Sequence, residues 1–164
     1  MTDGVEVHHL LLDTKSIANM RIVSPTHIEY DVDLVGSGSQ GLSGFDYGLI
    51  KWITKAELRW LRFESWSQLY SDIPYVSIYI DEIGDQIISN NSIHNRSTFI
   101  VPIKNEDLIY MTDAMANSIE FTEPIQSLSK FTVVMKAGAS LLDATNTNVH
   151  SMLLTFYTQR KQLY

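Results

Sequence analysis

The segment His27-Ile28-Glu29-Tyr30-Asp31-Val32-Asp33-Leu34 alternates without a break. Ile28, Tyr30, Val32 and Leu34 fall on one face of an extended chain, and Glu29, Asp31 and Asp33 on the other. Successive side chains of a strand point to opposite faces, so the pattern predicts a strand with one dry face and one wet face, as in an antiparallel sheet. Such a strand constrains everything around it. It needs pairing partners, and its apolar face needs a second layer to cover it.

Further strand signals run the length of the chain. Residues 5–13 are apolar and extended in character. Residues 75–80 form a β-rich run opened by Pro74 and closed by Gly84. Residues 97–103 read as a strand in which Pro102, lacking an N–H, marks an edge or an end. Residues 108–112, 119–122, 131–136 and 150–158 complete the set. Polar or glycine-rich stretches separate them: 36–44, 85–97 and 139–148.

Residues 51–65 read two ways. As a strand, Ala56, Leu58, Trp60 and Arg62 share one face, and Glu57, Arg59, Leu61 and Phe63 the other. As a helix, Ile50, Ile53, Glu57, Leu58 and Leu61 make an imperfect stripe. The aromatic content and the neighbouring strands favour β. Short helices are expected only at 66–71 and 113–117. With eight or nine strands and turns at short intervals, the chain is expected to be all-β: a single jelly-roll β-sandwich of about eight strands with long loops, or a related sandwich or barrel. Residues 1–164 read as one domain, with 1–6 as a more extended arm.

The composition sets limits on function. The chain has no cysteine, which removes disulfides, thiol chemistry and cysteine-based zinc sites. Its net charge is −7, and its densest basic stretch, Lys51, Lys55, Arg59 and Arg62, is interleaved with Glu57 and Glu64. A phosphate-binding footprint needs more positive charge than that, so no nucleic-acid partner is expected. The first residues lack a basic region and a long apolar run, and the longest apolar runs are far below the roughly 20 residues of a spanning helix. No secretory signal, myristoylation pattern or membrane span is expected.

No motif marks catalysis. His8 and His9 are adjacent, so in a strand they point to opposite faces and do not share a metal. His27, His94 and His150 are scattered singly, and His150 opens the last strand, where a structural histidine is expected. Asp81, Glu82 and Asp85 lack the spacing of a calcium loop and read as a solvated turn. Neither a nucleophile elbow nor a phosphate-cradling glycine loop occurs. Asn90-Asn91-Ser92 and Asn95-Arg96-Ser97 match the glycosylation sequon, but read as chance matches in a polar loop. The expectation is therefore a protein that is not an enzyme, with no cofactor and no metal.

The aromatic load is more informative. Trp52, Trp60, Trp66, Tyr70, Tyr75 and Tyr79 crowd one third of the chain. They are core residues of a sandwich, or a contact surface, since Trp and Tyr are favoured at interfaces. Trp52, Trp60, Trp66, Tyr70 and Tyr75 are the candidate interface residues. A platform for a glycan or a peptide, built around residues 52–75, is the alternative reading.

The order of features also resembles a known family. Val7-His8-His9-Leu10-Leu11-Leu12-Asp13-Thr14 is similar to the opening of small structural proteins of large double-stranded DNA viruses. The same holds for Ile53-Thr54-Lys55-Ala56-Glu57-Leu58-Arg59, for the Ile-Pro-aromatic run from Ile73 to Ile83, for Pro124 to Val133, and for the closing strand from His150 to Phe156. The sequence Lys136-Ala137-Gly138-Ala139 departs from the family's Asp-Gly turn. The resemblance spans most of residues 7–157. It implies a jelly-roll minor capsid or penton protein of a nucleocytoplasmic large DNA virus. Such a protein has no catalytic site. It is made in the host cytoplasm, sits in the virion capsid and packs against major and minor capsid proteins as part of a homo- or hetero-oligomeric shell. The N-terminal segment and the loops 35–48 and 84–97 are then the natural contact arms.

Overall fold

The computed structural model describes residues 4–16, 20–35, 48–63, 75–85, 87–102, 109–111, 117–138 and 150–159. The two short helices expected at 66–71 and 113–117 lie outside these residues, apart from Asn117. Ten strands occur among the described residues. They are β1 (Val5–Asp13), β2 (Arg21–Ser24), β3 (His27–Asp33), β4 (Ile50–Phe63), β5 (Tyr75–Tyr79), β6 (Phe99–Pro102), β7 (Ile109–Met111), β8 (Ser118–Leu128), β9 (Lys130–Ala137) and β10 (His150–Gln159). A 3-10 turn, Thr14–Ser16, follows β1. Val5 and Glu6, expected in an arm, already belong to β1.

The strands form two antiparallel sheets that make a β-sandwich. One has the order β1-β10-β4, with β7 and β8 both pairing the far side of β4, and the other has the order β2-β3-β9-β5-β6. The pairing is nested. β5 pairs β6, β4 pairs β8, β3 pairs β9 and β1 pairs β10, so four strands of the first half, all but β2, each meet a counterpart from the second. Successive nested pairs go to alternate sheets. β10 against β4 and β9 against β5 then join the pairs within each sheet.

The core lies between the sheets. β3 buries Ile28, Tyr30 and Val32 on the face the alternation predicts, and Leu34 just beyond its end is buried too. Phe131 of β9 meets Phe156 of β10 edge-on across the gap, with ring centroids 6.4 Å apart. Each such fully buried side chain contributes about 1.5–3 kcal/mol through the water it escapes. The chain crosses from one sheet to the other at Ser129, whose carbonyl accepts the Leu34 N–H at 2.8 Å and pins the corner.

Three features depart from the sequence expectation. β2 was not anticipated; it pairs with β3 through a turn at Pro25 and Thr26, where the Ser24 hydroxyl accepts the Thr26 N–H at 3.3 Å. β8 runs to Leu128 instead of stopping at Thr122, and passes through Pro124. Its pairing with β4 jumps there, from Lys55 opposite Glu120 to Ile53 opposite Ile125, so the proline's missing N–H falls in a break of the ladder.

β4 is a strand, but neither of its expected faces holds. Ala56, Leu58, Leu61 and Phe63 are buried together, while Trp60 and Arg62 stay outside. Against β10, Arg59 is an extra residue between the pairs Leu58–Leu154 and Trp60–Leu153, and Thr54 is another. Each such bulge shifts the alternation by one and turns the following side chains over.

Candidate interface surface

The outer face of the β1-β10-β4 sheet carries apolar side chains that stand exposed among the described residues. Val5, Val7 and Leu11 on the edge strand β1 are 60 %, 43 % and 51 % exposed. Register continues them inward: Leu11 lies opposite Leu153 and that residue opposite Trp60, while Val7 lies opposite Tyr157 and that residue opposite Lys55. These are two rows across three strands, one apolar and aromatic throughout and the other ending in the cation Lys55.

Between the rows sits a polar row. The His9 ring bonds the Thr155 hydroxyl at 3.0 Å. Next to Thr155 is Glu57, buried although it is on an outer face. Lys55 reaches one carboxylate oxygen at 2.6 Å; the other takes Arg59 at 3.0 Å and the Tyr157 hydroxyl at 2.8 Å. Burial alone would raise the Glu57 carboxyl, but the hydrogen bonds from Lys55 and Tyr157 and the charges of Lys55 and Arg59 outweigh it and hold it below the usual range. Its hydrogen bond to Glu57 lifts Lys55, and the separate Tyr157–Glu57 hydrogen bond together with burial lifts the Tyr157 hydroxyl. Lys55 also lies over the Tyr157 ring, 5.2 Å from its centroid. Chemically, this face offers apolar packing around a fixed charge cluster with aromatic and arginine anchors. That composition suits protein contacts.

The outer face of the second sheet is built differently. There the 87–97 loop folds back over β5. His94 bonds the buried Ser77 hydroxyl through Nδ1, and the Tyr79 hydroxyl donates to the Ile93 carbonyl. Tyr75, 40 % exposed, meets the His94 ring edge-on at 5.7 Å. Ile88 stands 96 % exposed on this loop. Beside it a half-open cleft of about 300 Å³ is lined by Tyr79, Asp81, Gly84, Asp85, Arg96 and Thr98. Gly84 adopts φ +99°, a value only glycine takes without strain, to close the turn after β5. In the acidic turn, Asp85 pairs Arg96 at 2.9 Å, and that hydrogen bond lowers its carboxyl. Glu82 instead accepts the Thr132 N–H at 3.2 Å.

The candidate aromatics do not converge. Trp60 is on the outer face of the first sheet, half-buried, and Tyr75 is on the outer face of the second. Trp52 is half-buried on β4 in a left-handed conformation (φ +58°), and Trp66 and Tyr70 lie outside the described residues. His8 and His9 bond Thr158 and Thr155 separately, on opposite faces as their adjacency requires. Among the described residues no three His, Asp or Glu side chains gather as a metal site, and no helix is long and apolar enough to cross a membrane.

Sequence reasoning missed the exposed side of β1 and the Glu57 cluster. Both left a trace. In Leu10-Leu11-Leu12 a strand must turn the middle leucine outward, and Lys55-x-Glu57-x-Arg59 places opposite charges at strand spacing. No protein family and no curated protein matches the chain.

Proposed function

We propose that this chain is a jelly-roll structural protein of a viral shell, a minor capsid or penton component of a nucleocytoplasmic large DNA virus. The observation that carries the proposal is the wiring. Leaving aside the short β2 and β7, eight strands fall into the orders β1-β10-β4-β8 and β3-β9-β5-β6. An eight-strand chain doubled into one long hairpin and then rolled into two facing sheets has this order, and it is the jelly-roll plan on which many capsid domains are built.

The surfaces support the same reading. β1 is an edge strand of nine residues with a row of exposed valine and leucine, an arrangement that in a protein acting alone invites uncontrolled pairing. In a shell, neighbouring capsid proteins cover such a surface. The 87–97 loop presents Ile88 on a compact, hydrogen-bonded frame, which limits the ordering entropy lost on assembly.

Quantitative mass spectrometry of purified particles tests this. The chain is expected in fixed stoichiometry to the major capsid protein, with the copy number distinguishing a vertex from a facet position. Its absence from particles, together with a stable monomer on sedimentation, overturns the proposal.

A further inference from the structure

We propose that the 87–97 loop is an acid-released latch: a neutral His94, seated on β5, holds the loop down, and protonation of the ring frees it. The loop's use as a contact arm rests on the assembly reading above; the latch itself is read from geometry alone.

The loop is a compact unit. The Arg96 N–H donates to the Ile87 carbonyl at 2.7 Å and the Ile87 N–H to the Ser97 carbonyl at 3.1 Å, which closes its neck. Inside, the Asn91 side chain accepts the Ile93 N–H at 3.0 Å, and the Asn91 carbonyl accepts the N–H groups of His94 and Asn95, each at 3.0 Å. The loop can therefore lift as a body about its neck. What fastens it to the sheet is the Ser77–His94 hydrogen bond of 2.5 Å, the Tyr79 bond to the Ile93 carbonyl and the Tyr75–His94 ring contact.

The fastening has a weak point. His94 is 6 % exposed, and its Nε2 is buried with no hydrogen-bond partner. The neutral ring tolerates this, because Nδ1 is matched to Ser77 and Nε2 is left as one unsatisfied atom. A protonated ring would bury a charge and an N–H with no acceptor. Among the described residues the groups around it offer no compensation. β5 contributes Tyr75 and Tyr79. β9 contributes Lys136, which lies opposite Ser77 and holds its ammonium 4.8 Å from the Tyr79 ring centroid. β6 contributes Ile100, opposite Ser77 on the other side. On the loop, Arg96 is paired with Asp85. Among the described residues no carboxylate reaches the ring within ion-pair distance.

Burial accordingly holds the seated ring below the ordinary histidine range. The released ring, in water, binds a proton at a higher pH than the seated one. Between those two values each unit of acidification favours release by up to about tenfold.

Hydrogen exchange by mass spectrometry on the full chain, corrected for intrinsic rates, tests the latch at pH 7.5 and 5.0. In the wild type, protection of the 87–97 amides relative to β9 should fall by roughly tenfold at the lower pH. In His94→Asn, whose amide takes the place of Nδ1 beside Ser77 but does not titrate, the same ratio should not change with pH. Loop protection that is unchanged in the wild type, or that falls equally in the variant, overturns the latch. If the variant fails to fold, an NMR titration of the wild type decides: the loop resonances must move with the His94 ring proton, and any other midpoint overturns the proposal. These outcomes are independent of the particle experiment, so the latch and the shell assignment fail separately.

Discussion

β3 and β4 each run through the interior of a sheet, yet only one of them follows a simple rule. β3 buries every second residue, Ile28, Tyr30 and Val32, with no interruption in its pairing to β9. β4 buries Ile50, Ile53, Ala56, Leu58, Leu61 and Phe63, and three of those five steps span three residues. The long steps fall at the left-handed Trp52, at Thr54 and at Arg59, the last two of which are extra residues against β10. An inserted residue rotates the rest of the strand by half a turn, so inward side chains stay inward only if the sequence skips a place too. β4 is as regular as β3 once its bulges are counted. Its mixture of two- and three-residue steps also explains why it resembles an imperfect helix on paper.

The sharpest way to break this comparison is to insert one alanine after Arg59. The insertion adds a residue that the sequence does not skip and sends Leu61 and Phe63 toward solvent, so loss of cooperative unfolding, a cost above about 4 kcal/mol, is expected in a denaturant melt. A variant that melts like the wild type would show that the bulge does not set the register. Next in size are the core truncations. Ile28→Ala in β3 and Leu61→Ala in β4 should each cost about 2–5 kcal/mol, because both side chains are fully buried. If Leu61→Ala is near neutral, the inward assignment of β4 beyond its bulge is wrong.

The two strands meet at one polar point. His150 shares a 3.0 Å hydrogen bond with the Tyr30 hydroxyl of β3 and packs against Phe63 of β4, with ring centroids 5.8 Å apart. Tyr30→Phe leaves a buried histidine nitrogen without that partner and should cost about 1–3 kcal/mol by equilibrium unfolding. Burial pushes the His150 ring down to about 3 and the Tyr30 hydroxyl well above the usual range.

For a depressed histidine the unfolded chain binds the proton first. The contribution of His150 is therefore complete above about pH 6.5 and declines as the pH falls toward 3. Within that window the wild type should lose about 1.4 kcal/mol more per pH unit than His150→Leu. Equal slopes would mean that the ring is not held neutral. The smallest effect belongs to the outer face: Leu11→Ser should change the stability of the isolated chain by no more than about 0.5 kcal/mol. A larger loss would place Leu11 in the core, against its assignment to a contact surface.

How much of this was legible follows the same division. Wherever a strand is uninterrupted, as in β3 and β9, the alternation of the sequence names the buried side chains directly. It also makes the chain all-β, and the absence of cysteine means that no disulfide holds the fold. The faces of β4, the passage of β8 through Pro124, and the partners of His94 and His150 were not legible. Bulges and cross-sheet contacts join residues far apart in the chain: Ser77 meets His94, Glu57 meets Tyr157, and Tyr30 meets His150. Local periodicity reports only which side of its own strand a residue occupies. Which strand lies opposite, and therefore which polar groups are satisfied, is settled when the two halves of the chain pair and the sheets close on one another, because hydrogen-bond partners and burial belong to the whole packing and to no single segment.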